Sequence, residues 1–287
     1  VKGQQIDIIK FPISPLAKAG ILIKNMTDNT NDAEHDHSRP HRDDHCLLMI
    51  ATGGQFVINI DFENNTITAP AMLLIFPGQV HHIISARKPV GWVLSIDPAL
   101  IDKEFQLVLE KGFRLPVSVD SKSGFYEHVV ILTGQMEKLQ ITADNLYTVR
   151  AIHSILDAML GLIVGEIGTI HTHVKTKANR AAVIEQAFIH LLKLHYKNWK
   201  QPARYAAELN ISVAHLYDTI KNMTGDSVSV YIQQYCMLEA KRLLCFTKFT
   251  VKEIGYQVGY EEPVYFGKLF KKVTGLTPLQ FRQQYHD

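Results

Sequence analysis

A stretch of the C-terminal third repeats itself about fifty residues further on, and such a period signals paired supersecondary units rather than one large core. Thr224-Gly225 returns as Thr274-Gly275, and Lys221 as Lys271. The apolar pairs Leu216/Phe266, Ile220/Phe270 and Tyr231/Phe281 keep that offset, while Ala206/Gly255, Leu209/Val258 and Asn210/Gly259 lie one residue closer, so the extra residue falls in the second turn. Each copy reads as helix, tight turn, helix. A small residue in the first helix (Ala206, Gly255) lets the second cross closely. Asn210 and Gly259 stand at the turn, where both residue types tolerate a left-handed backbone. Ser212 is placed to N-cap the second helix of the first copy. Glu261 or Glu262 starts that of the second, with Pro263 in its first turn.

Between the copies, Ser227 to Phe246 reads as one continuous helix. Twenty residues at about 1.5 Å rise span roughly 30 Å. Successive major grooves on one face of DNA are ~34–36 Å apart, so a rigid spacer of this length suits two recognition helices in adjacent grooves.

The net charge of +2 over 287 residues, from 30 basic and 28 acidic side chains, argues against a nucleic-acid binder when taken whole. Taken by halves it does not. Residues 177–287 carry 15 basic and 9 acidic side chains, a net of +6, and residues 1–176 carry 15 and 19, a net of −4. Such asymmetry is a reason to expect a nucleic-acid module at one end. The sign changes near the polar stretch His171 to Ala178, which we take as the domain joint, with a linker over 173–180 between domains of 1–172 and 181–287.

The N-terminal region reads as short strands: Cys46–Ala51, Gln55–Asp61, Thr66–Thr68, Met72–Phe76, His82–Ser85 and Gly91–Ile96. Gly53-Gly54, Asn64-Asn65, Pro70 and Pro77-Gly78 punctuate them. Strands so short and close suggest a sandwich or small barrel. Two helices follow, over Tyr126–Gln140 and Asp144–Ile167, the second with Asp144 as its N-cap. In it Val149, Ile152, Leu156, Met159 and Ile163 recur at alternating spacings of three and four, the pattern of a coiled-coil seam. The seam suits packing against the domain's own strands as well as a homodimer interface. No run of ~18–20 apolar residues is expected to cross a membrane, the greasiest being Ala158 to Val164. Val1-Lys2-Gly3 suggests no signal peptide, and the three cysteines form no disulfide framework, which suits a cytoplasmic chain.

The linking helix carries Glu239-Ala-Lys-Arg-Leu-Leu244. The second copy runs Thr250-Val-Lys-Glu-Ile-Gly-Tyr-Gln-Val-Gly-Tyr260, then Tyr265-Phe-Gly-Lys-Leu-Phe-Lys-Lys-Val-Thr-Gly-Leu-Thr-Pro278 and Phe281-Arg282. Over roughly 180–287 these segments resemble the signature of AraC/XylS-type transcriptional regulators. The resemblance implies an α+β chain: a cupin-like N-terminal β-barrel with a two-helix dimerisation segment, then an all-α domain of two helix-turn-helix units on one long helix. It implies double-stranded DNA as partner, a homodimer, and a small-molecule effector in the barrel. Carried over by position, the DNA-binding residues are Ala214, Tyr217, Asp218 and Lys221 in the first copy. In the second they are Pro263, Val264, Tyr265 and Lys268, with Lys271 and Lys272 near the backbone. Lys268 suits guanine and Val264 a thymine methyl, whereas Asp218 departs from the basic or amide residue common there and is unfavourable near phosphate unless it accepts from a cytosine amino group.

Pro40-His-Arg-Asp-Asp-His45 and Phe76-Pro-Gly-Gln-Val-His81-His82 carry the likeness to the sensor barrel. His41, Arg42, His45 and His81 are the expected effector-pocket residues. Imidazole and carboxylate also suit a metal: His35, His37, His41 and His45 crowd together among Glu34, Asp36, Asp43 and Asp44, with His81 or His82 to be joined. Sensor barrels of this family usually lack one, and His35 and His37 read as a solvated loop, so no metal and no cofactor is expected. The reading is a non-enzymatic regulator of transcription. The alternative from another class is a metal-dependent cupin enzyme with a helical appendage, although no phosphate loop, nucleophile motif or acid pair supports catalysis elsewhere.

Overall fold

A computed structural model describes residues 8–17, 19–26, 37–113, 115–143, 145–170 and 180–285. The described residues divide into two compact units, residues 9–170 and residues 180–285, Ile8 grouping with the second. The polar joint, Glu34, His35, Asp36, Asp144 and the first three residues, all invoked above, lie outside the described residues.

Among the described residues the N-terminal unit is built on one mixed sheet of eight strands: β1 Ile9–Phe11, β2 Ile21–Asn25, β3 His41–Asp43, β4 Cys46–Ile60, β5 Glu63–Thr68, β6 Ala71–Ile75, β7 Val80–Ile96 and β8 Val117–Ser118. Its order is β1-β3-β7-β4-β6-β8, with β2 added to β7 and β5 to β4. Two pairs of expected strands prove continuous. Gly53-Gly54 does not end β4: the pairing with β7 shifts register there and runs on, so these glycines mark bulges in a 15-residue strand. Gly54 has φ +77, and a Cβ there would meet the Lys88 carbonyl oxygen at 2.1 Å. The strands over 82–85 and 91–96 likewise join in β7. β1, β2, β3 and β8 were not anticipated; their two to five residues are too few to show a period.

Both faces of this sheet are apolar, which is why β6 is buried throughout. Alternation along β4 sends Leu48 and Ile50 into a core shared with three helices, α1 Lys103–Gly112, α2 Gly124–Ile141 and α3 Leu146–Ile170. Leu47 and Met49 face the other way, towards Phe56, Ile58 and Ile75. Side-chain hydrogen bonds tie the helices to strand backbone. Gln140 on α2 accepts from the Ile23 amide at 2.7 Å and donates to its carbonyl at 3.0 Å, and the Tyr126 hydroxyl donates to the Ala51 carbonyl at 2.8 Å. Asn145, accepting from the Thr148 amide at 2.9 Å, caps the start of α3.

The structure decides where the seam of α3 points. Ile152, Leu156, Met159 and Ile163 are buried in the unit's own core, and Val149 is half-buried. Intramolecular packing accounts for these residues, and the interface assigned to them is corrected accordingly. Over four turns a coiled-coil seam and a core-facing stripe have the same spacing of three and four, so the apolar sheet can take the place of a second helix. A second correction concerns length and hydropathy. Residues Leu146–Ile167 form a helical stretch of 22 residues with mean hydropathy 1.4, long and apolar enough to cross a membrane. Scattered polar residues hid it from a search for unbroken apolar runs. Arg150 and Asp157 lie on its exposed side, while six of its side chains are buried in the core.

The C-terminal unit is all helical: α4 Arg180–His195, α5 Pro202–Glu208, α6 Val213–Thr224, α7 Val228–Phe246, α8 Val251–Gln257, α9 Pro263–Thr274 and α10 Pro278–Tyr285. α5–α6 and α8–α9 are the two repeats. α6 and α9 have 12 residues each and both end on a left-handed glycine, Gly225 and Gly275, at φ +82. Thr224 and Thr274 donate to the carbonyls four residues back, Ile220 at 2.7 Å and Phe270 at 2.8 Å. The recurring Thr-Gly is therefore a helix stop. Asn210 (φ +53) and Gly259 (φ +80) hold the expected left-handed turns, and Ser212 caps α6 through the His215 amide at 3.1 Å. α7 joins the repeats as a single helix capped by Ser227.

Buried polar groups tie the joining helix in place. Glu239 and Arg242 form an ion pair one turn apart within α7, and both are buried. Arg282 on α10 donates to the carbonyls of Leu244 at 3.0 Å and Phe249 at 2.6 Å, fastening the end of α7. Lys200 donates to the carbonyls of Tyr196 and, at 2.6 Å, Val258, and lies 4.7 Å from the Tyr260 ring centre. Burial lowers its pKa. Arg242→Met is expected to be tolerated less well than Glu239→Gln combined with it. Removing one member deprives a buried charge of its ion pair, at a cost of about 3–5 kcal/mol, whereas removing both charges does not. Urea midpoints of the single and double variants check this.

Candidate nucleic-acid interface and N-terminal cavity

α6 and α9 present the same faces. Leu216, Thr219 and Ile220 on α6, and Phe266, Leu269 and Phe270 on α9, are buried at matching positions. This inward stripe leaves Ala214, Asp218 and Lys221 exposed on one helix, and Val264, Tyr265, Lys268, Lys271 and Lys272 on the other. Val264 is 68% exposed and Tyr265 54%, large apolar surface of a kind that water alone does not favour. The two remaining residues named for this surface sit differently. Pro263 is half-buried at the start of α9, with Glu262 before it making no side-chain cap bond. Tyr217 is half-buried, its hydroxyl hydrogen-bonded to Ser229 Oγ at 2.8 Å, so it also braces α6 against α7.

The chemistry of the two faces differs. α9 offers three lysines at its outer face and C-terminal turn and no acid among the residues named, whereas α6 sets Asp218 beside Lys221. The second repeat is the better polyanion surface. His215, also exposed on α6, was not singled out from the sequence. The repeat pairs it with Tyr265, an alignment that would have brought it in.

In the N-terminal unit the sheet encloses a cavity of about 370 Å³. One side of its lining is apolar, from Met26, Met49, Phe56 and Ile58 among others. The other side is polar, with His37, His41, Asp43, His45 and His81. Antiparallel pairing of β3 with β7 puts His41 directly opposite His81, which brings together residues forty apart in sequence. Alternation along β3 turns His41 and Asp43 inward and sends Arg42 to the opposite face, so of the four expected pocket residues His41, His45 and His81 line the cavity and Arg42 does not. Asp43, named among the acids of the histidine-rich segment but not among the expected pocket residues, joins the lining because it stands two residues from His41 on one strand. His37, expected on a solvated loop, is half-buried at the cavity with its ring 5.8 Å from that of His41.

Electrostatically the polar end is tightly coupled. His81 Nε2 stands 3.4 Å and His45 Nε2 3.9 Å from Asp43 Oδ2. Burial, and then the positive charge that His81 would carry, push His41 down to about 4, so its ring is neutral near pH 7. Burial alone would raise the Asp43 carboxyl, but the adjoining His81 and the charges of His45 and His41 outweigh it and hold the group below the ordinary carboxylate range. His82, next on β7, has its pKa lowered by burial and by His81's charge.

Residues 205–284 match the helix-turn-helix domain family. Among curated proteins, the chain is 34% identical over 83 residues to histidine kinase P4 of Formosa agariphila, covering 29% of this chain and 6% of that protein. It is 32% identical over 92 residues to the uncharacterized HTH-type transcriptional regulator YisR of Bacillus subtilis, covering 32% of each. Over 243 residues it is 24% identical to the arabinose operon regulatory protein of Salmonella typhimurium, covering 82% of this chain and 83% of that one. The chain thus spans less than a third of the length of the first two relatives. Its homologues include AraC-family regulators of transcription, as the motifs of the second repeat led us to expect.

Proposed function

We infer that this chain, a helix-turn-helix protein with AraC-family regulators among its homologues, is a sequence-specific DNA-binding regulator of transcription. The observation that carries this reading is the duplicated helix-turn-helix on one continuous joining helix, with the exposed lysines and apolar side chains of α9 gathered on one face. In it Lys268, Val264 and Tyr265 contact base edges, while Lys271 and Lys272 sit against phosphate, and Pro263 sets the entry of α9. Ala214, Tyr217, Asp218 and Lys221 form the corresponding, weaker surface of the first repeat. The protein acts in the cytoplasm and is not an enzyme. A small-molecule effector occupies the N-terminal cavity near His41, His45 and His81, and the match to an arabinose operon regulator over most of both chains supports an effector-responsive arrangement. The effector acts by binding one arrangement of the protein more tightly than another. A homodimer completes the reading, and the outer face of α3 with Tyr147 and Leu162, rather than its seam, meets the second copy.

Selection of bound sites from random DNA by the full chain tests the reading, and recovery of no enriched site would overturn it. On the selected site, Lys268→Ala is expected to cost ~1–3 kcal/mol and relax preference at one base pair. Lys272→Ala should weaken all sequences alike and reduce the salt slope by about one. Equal losses on selected and random DNA for both variants would remove Lys268 from the base-reading set.

A further inference from the structure

We propose that the polar end of the N-terminal cavity is a metal site, in which His41, Asp43 and His81 bind one divalent first-row transition-metal ion. It goes beyond the regulator reading and is tested separately from it. A metal was not expected from the sequence; the arrangement of the three side chains is what argues for one.

The three are all buried, and their ligand atoms lie within 4.8 Å of one another. Bonds of about 2.0–2.2 Å to nitrogen and oxygen place the donors of one ion a little over 3 Å apart, so small side-chain movements close the site. The hydrogen bonds of the rings then decide which atoms are available. His41 Nδ1 lies 2.8 Å from the Arg39 carbonyl oxygen and His81 Nδ1 3.2 Å from that of Gln79. A carbonyl only accepts, so in both rings Nδ1 carries the hydrogen and a neutral ring has its lone pair on Nε2. This is the outer arrangement that holds a ligating histidine in its tautomer.

A conflict follows at His81. It is 3% exposed, and its Nε2 is buried with no hydrogen-bond partner of acceptable geometry, although it faces Asp43 Oδ2 at 3.4 Å. In a neutral ring that lone pair is aimed at a carboxylate oxygen in a buried place, which is repulsive, and an orphaned buried acceptor is destabilising. A cation between the two atoms removes both penalties. Two imidazoles and one carboxylate form the three-ligand set that transition metals accept with positions left open, and the cavity lies on the open side. His45 Nε2 stands 3.9 Å from the same carboxylate oxygen, beyond hydrogen-bond distance, and is not counted among the ligands. A proton on His81 Nε2 in place of a metal is the competing way to fill the gap, and the test must separate the two.

The full chain, stripped by a chelator and dialysed, is titrated with Co²⁺ and followed by its visible d–d absorption. Zn²⁺ bound per chain is then measured by elemental analysis. The expected result is one ion per chain, with Zn²⁺ displacing Co²⁺ and raising the unfolding midpoint of the N-terminal unit. His81→Gln and the near-isosteric Asp43→Asn should each lower affinity by more than the roughly 10–100-fold that loss of an outer partner costs. His82→Gln should bind as the parent does. Circular dichroism reports whether the variants are folded. Absence of any Co²⁺ or Zn²⁺ binding by the folded parent chain overturns the proposal, and this arm needs no variant. Binding that survives both Asp43→Asn and His81→Gln overturns it too, by placing the ion elsewhere. Binding to a selected DNA site, measured on the same samples, reports on the regulator reading alone.

Discussion

Gly259→Ala is expected to destabilise the C-terminal unit by roughly 4 kcal/mol or more, in the far tail of single substitutions, whereas Gly225→Ala should cost only about 1–2 kcal/mol. The two glycines have nearly the same backbone, φ +80 and φ +82, so the left-handed penalty for adding a Cβ is common to both. Their surroundings differ. A Cβ at Gly225 meets nothing within 4 Å, but one at Gly259 would lie 1.9 Å from the Lys197 carbonyl oxygen and 2.8 Å from Lys200 Nζ. The first obstacle is backbone and the second is the ammonium that holds the carbonyls of Tyr196 and Val258, so neither yields cheaply. Relief would come only by prising the second turn away from the segment after α4, and with it the placement of α9. Urea unfolding followed by Trp199 fluorescence in a Trp92→Phe background measures the C-terminal unit by itself. Equal midpoints for the two alanine variants would show that the Lys197 contact does not constrain the turn.

Leu156→Asp is the second large effect, and the structure changes its meaning. From the seam pattern alone, an acid at this position would be expected to dissociate a dimer. Leu156 is 1% exposed and lies among side chains of the sheet and of α2. A carboxylate there loses its water and gains no partner, and the lost leucine leaves a void. Together these cost on the order of 4–5 kcal/mol. The expected result is a loosened or unfolded N-terminal unit, seen as loss of its near-ultraviolet circular dichroism and an early urea transition. Leu162→Asp, at a position 38% exposed on the same helix, should leave that fold intact and, on the dimer reading, yield a folded monomer in sedimentation. A Leu156→Asp chain with the parent's stability would return the seam to the surface.

What could be read from the residues alone follows how local the governing interactions are. The repeats were legible because capping, left-handed turns and a helical stripe are settled within about ten residues. Asn210 and Gly259 take the turn, Ser212 caps α6, and Thr-Gly closes both second helices. The N-terminal strands were only partly legible. Gly53-Gly54 looks like a break when seen in one strand and becomes a bulge once β7 lies alongside. The short strands β1, β3 and β8 exist through their pairing and show no period of their own.

The same division applies to the sites. Exposure of Lys268, Lys271 and Lys272 follows from the phase of α9, which the sequence contains. The cavity does not follow from any one segment. His41 faces His81 because two strands forty residues apart pair in a particular register, and Asp43 joins them because it is two residues along a strand too short to predict. Residue order alone specifies the duplicated helix-turn-helix and its joining helix, which depend on neighbours within a few turns, and the change of charge along the chain, which is a matter of composition. Three outcomes emerge only on folding: the stripe of α3 packs into its own core, Arg42 points away while His41, Asp43 and His81 converge, and Gly259 has no room to spare. Those outcomes rest on long-range packing and strand register, where a shift of one residue turns every side chain to the opposite face.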